Sequence, residues 1–135
     1  MALGLMAGPA GAECARTDFE AVVDSAAGSL RDMNAANKPK FQDKLRQLRD
    51  KRGWTQEQFM KEATPFVLDE QIVTYDARSA ELLERIAAGG SAGAAAATPD
   101  CAMLDGLKGA MKLLVEIQSA KWSYMTGRID AELAK

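Results

Sequence analysis

CAMLDGLKGAMKLLVEIQSAKWSYMTGRIDAELAK, Cys101 to Lys135, is the stretch that decides the fold. Leu104, Leu107, Met111, Leu114, Trp122, Met125, Ile129 and Leu133 recur in steps of three and four, and Gln118 alone interrupts them with a polar group. That spacing keeps one face of an α-helix apolar over about eight turns. A helix this long covers its stripe only by packing against long neighbours. Just ahead of it, Thr98 offers a cap, Pro99 suits the first helical position, and Asp100 places an acid at the positive end of the helix dipole. Gly106 and Gly109 permit a close approach on this helix at a propensity cost of about 1 kcal/mol each.

Upstream, Ala87 to Thr98 (AAGGSAGAAAAT) holds no large side chain and reads as a mobile connector. Before it, Thr55 is a helix cap with Gln58 three residues on, and Trp54 is placed to staple against Phe59. This third helix reaches Pro65, which either kinks it or starts a new helix capped by Thr64, and the pattern then continues to Ala88 and stops at Gly89-Gly90. Two adjacent stripes, one with Leu68, Ile72, Tyr75, Leu82 and Ile86 and one with Phe66, Val73, Ala77 and Ala80, mark a central helix between two neighbours. A thin stripe of Phe41, Leu45 and Leu48 defines a second helix from Pro39 to Arg52, closed by Gly53. Thr17 and Glu20 form a capping box for a first helix with Phe19, Val22, Val23, Ala26, Leu30 and Met33 on one face. It should end near Asn34 to Asn37, because Pro39 disfavours helix at Lys38. No segment alternates with period two, so the expectation is all-α: a single-domain bundle of four to five helices over residues 13–135, with long antiparallel partners.

Composition narrows the function classes. With 47% hydrophobic and 27% charged residues and a net charge of −2, the chain belongs with globular proteins, and no run approaches the ~20 apolar residues of a transmembrane segment. Histidine is absent, which removes the commonest general base, the commonest zinc and haem ligand, and every nucleophile pairing that depends on imidazole. No cofactor motif is present, and none is expected. The opening MALGLMAGPAGAEC carries an A-x-A cleavage pattern at Ala10, Gly11 and Ala12. Residues 1–12 therefore read as the tail of a signal peptide, or else as a flexible small-residue tail, and localisation as periplasmic or secreted with the cytoplasm as the alternative. In an exported chain the only two cysteines, Cys14 and Cys101, are expected to pair and link the N-terminus to the last helix. In the cytosol Cys101 would instead be a thiol at a helix N-terminus.

Leu45 to Phe59, LRQLRDKRGWTQEQF, resembles the first helix and the start of the second in lambda-repressor-like helix-turn-helix domains. The resemblance covers about twenty residues and implies DNA binding. Here Ala63-Thr64-Pro65-Phe66 replaces the turn glycine, and an apolar, acidic stretch stands where a recognition helix would enter the major groove. Lys38 to Arg52 is the basic part of the chain and Glu57 to Arg85 the acidic part, the reverse of what phosphate attraction requires. No nucleic-acid partner is expected, and helix-turn-helix function remains only as an alternative.

Two further surfaces are candidates. Lys44, Arg46, Arg49 and Arg52 are either a solvated face balanced by the neighbouring acidic helix or a docking face for an acidic partner. Gln118, Trp122, Met111 and Met125 either hold a core amide that fixes helix register or line a ligand pocket between helices. The seven methionines are dispersed, which suits core packing rather than copper. The leading expectation is a non-enzymatic, exported helical protein that binds a protein partner or assembles with itself. A small-ligand carrier is the alternative.

Overall fold

The structure, a computed structural model, describes residues 13–135, so the leader-like reading of residues 1–12 lies outside it. The described chain is all-α. Helix α1 spans Arg16–Arg52, α2 Gln56–Val67, α3 Glu70–Ala95 and α4 Cys101–Leu133. At 1.5 Å per residue, α1 and α4 are rods of about 56 and 50 Å. They run parallel: the Cys14–Cys101 disulfide joins their starts, with Cα atoms 5.7 Å apart, while Arg52 meets Glu132 at their far ends, 2.8 Å apart. Helix α3 runs antiparallel to both, its last turns against Phe19 and its first against Tyr124. The expected antiparallel packing of long helices therefore holds for α3 against α1 and α4, but not for α1 against α4.

The core falls into two apolar clusters. At the disulfide end, Phe19, Val22 and Ala26 of α1 meet Ile86 of α3 and Leu104, Leu107, Ala110 and Leu114 of α4. At the other end, Phe41, Leu45 and Leu48 meet Ile72, Met125 and Ile129, and Trp54, Phe59 and Phe66 close the cluster from the α2 side. Gln118 sits between the clusters, buried, and its amide donates to the Ser79 hydroxyl at 2.6 Å. The polar interruption of the stripe is a satisfied amide that joins α4 to α3 at one register.

Several helix boundaries differ from expectation. Helix α1 does not end before Pro39 but runs through it. The proline forfeits one hydrogen bond and crowds the preceding turn, at about 3 kcal/mol. Against that, Phe41, Leu45 and Leu48 are buried beyond it, each worth about 1.5–3 kcal/mol, and only a continuing helix carries them onto α4. Pro39 and Ala35, whose carbonyl it leaves unmatched, are both exposed, so water can serve that carbonyl. The α1 cap is Ala15, whose N–H donates to the Asp18 carboxylate at 2.8 Å, and not Thr17.

Helix α3 does not stop at Gly89-Gly90, and Ala87 to Ala95 is helix, not connector. A Cβ at Gly93 would lie 2.0 Å from Phe19 Cδ1, and one at Gly90 2.3 Å from Val23 Cγ2. These glycines bring α1 against α3, and the packing of Phe19 offsets their poor helix propensity. Pro65 lies inside α2, and the break comes later, at Leu68-Asp69. Asp69 caps α3 by accepting from the Ile72 N–H at 2.8 Å, while Thr64 instead donates its hydroxyl to the Met60 carbonyl. Ala63 to Phe66 is therefore helical, and the helix-turn-helix corner does not form there. Thr55 does cap α2 with Gln58 reaching back, as its sequence announces. Asp100, not Thr98, caps α4.

Candidate functional site

The break between α2 and α3 is where the surface departs most from an ordinary bundle. Val67 at the end of α2, Phe41 and Leu45 of α1, and Trp122 and Met125 of α4 line an open groove of about 390 Å³. Phe41 and Trp122 meet edge to face at 6.1 Å, and the Trp122 indole donates to Asn34 Oδ1 at 3.2 Å, so the ring is held with its polar end on α1. Lys38 and Lys121 stand on the rim. Lys121 is held 2.7 Å from Asp76 of α3, whereas Lys38 reaches into solvent.

The segments on either side of the break expose several large apolar side chains, of which Val67 also walls the groove. Met60, Val67, Leu68 and Val73 are 64%, 45%, 58% and 52% exposed: the first two are on α2, Leu68 is in the break itself, and Val73 is in the first turn of α3. Met60 and Val67 are seven residues apart and so lie on the same side of α2.

A polar cluster braces the break from behind. The Asp69 carboxylate accepts from the Tyr124 hydroxyl at 2.5 Å and from Arg128 Nη1 at 2.9 Å. Arg128 also donates to the Pro65 carbonyl and stacks on the rings of Phe66 and Tyr124, at 5.2 and 5.6 Å. The Tyr124 hydroxyl, then the Ile72 N–H and the Arg128 charge, hold the Asp69 carboxyl below its ordinary pKa. The same hydrogen bond to Asp69 is the largest cause that raises the Tyr124 phenol. This cluster fixes the angle of the break. Asp69-Glu70 is a legible cap signal, an acid pair ahead of the buried Ile72; Arg128 carries no local signal at all.

The other expected site residues are dispersed. Met111 packs on the first cluster and Met125 belongs to the second, about 21 Å apart along α4. Of the expected pocket, Trp122 and Met125 share the groove, and Gln118 is engaged with Ser79. The basic residues do not form one face. Lys44 pairs with Asp130 and Arg52 with Glu132, both on α4, so it is α4 rather than the acidic helix that balances them. Arg49 lies 5.6 Å over the Phe59 ring, and Arg46 is 3.9 Å from Asp43 on α1 itself. Lys44 and Arg46, two residues apart, point to opposite sides of the helix.

Among the described residues, no group of three or more His, Cys, Asp or Glu is disposed to hold a metal ion, and no helix is long and apolar enough to cross a membrane. The chain matches no protein-family model, no curated protein and no solved structure.

Proposed function

We propose that this chain is an exported, non-enzymatic helical module that docks a protein partner at the break between α2 and α3. The observation that carries this reading is the set of exposed apolar side chains on either side of the break, Met60, Val67, Leu68 and Val73, of which Val67 also walls a groove with an aromatic floor. Surfaces of this kind mark interaction sites more often than scattered apolar residues do. Small-molecule sites enclose most of their ligand, and this groove is open. The disulfide supports an oxidising compartment, and the lack of histidine supports a role without acid–base catalysis. A photo-crosslinking side chain at position 68, compared with the same group at exposed Glu84, tests the reading in the cell that makes the protein. A protein adduct at position 68 that position 84 does not give is expected; equal yields, or none, would overturn it.

A small-ligand carrier remains a second reading, favoured by the apolar floor with Lys38 on its rim, which suits an amphipathic anion. Dodecanoate that shifts Trp122 emission while dodecanol does not would support it.

A further inference from the structure

The protein partner proposed above is left open by chemistry alone, but the same shoulder carries both a protruding apolar side chain and an unfilled apolar groove. Val67 is a wall of the groove and Leu68, the next residue, stands 58% exposed beside it. Because the projecting side chain and the groove are adjacent, one two-fold rotation can seat the side chain of each copy in the groove of the other, whereas a head-to-tail contact would use only one of each. Charge follows the same pattern. The groove carries Lys38 on its rim, while Glu70, exposed in the first turn of α3, lies two residues beyond the knob.

We infer that this chain forms a two-fold dimer in which Leu68 of each copy enters the groove of the other, bringing Glu70 of one copy against Lys38 of its mate. The inference rests on the docking reading above and names its occupant. Both contacts occur twice, as isologous symmetry requires, so a single substitution is felt at two places. An acidic rim in place of Lys38 would repel Glu70, and the pattern of charges therefore also sets the orientation of the two copies.

Sedimentation equilibrium of the oxidised full chain over a wide concentration range tests this. The unsubstituted chain is expected to dimerise, and Leu68→Glu to weaken the dimer by roughly 30-fold or more, the effect of losing a central interface residue. Lys38→Glu and Glu70→Lys each place like charges together twice and are expected to be mainly monomeric alone. Mixed in equal amounts they restore both opposite-charge pairs and are expected to form a heterodimer, an outcome that misfolding of either variant could not produce. A chain that stays monomeric at every concentration, or a mixture that does not recover association, would overturn the inference. A position-68 crosslink to a different protein would likewise end the dimer while leaving the docking reading intact, whereas no adduct at all would remove both.

Discussion

Gln118 and Ser79 show how one polar pair governs the middle of the bundle. Their hydrogen bond lies between two apolar clusters, where an unmatched amide costs its full desolvation. Ser79→Ala is therefore expected to destabilise by about 1–3 kcal/mol in urea denaturation, while Ser79→Ala combined with Gln118→Leu should recover most of that loss. A double variant no better than the single one would show that the pair does not act as a unit. At Asp69 the dependence is on pH. Its folded-state pKa is lowered, first by the Tyr124 hydroxyl, so its contribution is present above the unfolded carboxylate pKa and is lost as pH falls through the folded value. Asp69→Asn should thus flatten the acid limb of the stability–pH curve, most visibly when helix content around the break is followed by hydrogen exchange.

Among the elements, the caps and apolar stripes were legible and the interruptions were not. Thr55 with Gln58, Gly53 in the left-handed region after α1, and the stripe of α4 are local signals, and the local signal decides them. Pro39 and Gly89 to Gly93 are also local signals, but there tertiary packing wins: Phe41, Leu45 and Leu48 need α1 to continue, and Val23 and Phe19 need α3 without side chains at positions 90 and 93 respectively. The spacing of Gly90 and Gly93, three residues apart and so on one helix face, was the available clue to close packing. The same logic separates the glycines by substitution. Gly93→Ala is expected to cost about 1–3 kcal/mol or more, because its Cβ meets the Phe19 ring, whereas Gly106→Ala and Gly109→Ala, with open space around them, should each stabilise by about 0.5–1 kcal/mol. Pro39→Ala should stabilise as well, by up to about 3 kcal/mol, because it restores the missing hydrogen bond of a continuous helix. Thermal unfolding followed by circular dichroism ranks all four.

For the molecule as a whole, the bundle class and the Cys14–Cys101 bridge were readable from residue pattern, and the bridge already required the starts of the first and last helices to meet; what was not readable was that α1 continues past Pro39 and so runs parallel to α4 along its whole length. The candidate groove was half legible: Trp122 and Met125 stood out on the stripe of α4, while Phe41 reaches them only because α1 continues past Pro39, and Val67 stands at the end of α2, just before the break at Leu68-Asp69. The bridge closes a loop with a sequence separation of 87, for which the chain-entropy account gives about 4–5 kcal/mol. Reduction should lower the urea midpoint accordingly, and an unchanged midpoint would mean that the starts of α1 and α4 stay together without it. The bridge also has a mechanical consequence. If residue 13 and residue 135 are pulled apart, tension passes from Cys14 straight across to Cys101 and along α4, so α1, α2 and α3 lie off the load path. Oxidised, the chain is a short tether whose stretched length is set by a single helix; reduced, it pays out the whole hidden loop, about 300 Å at full extension.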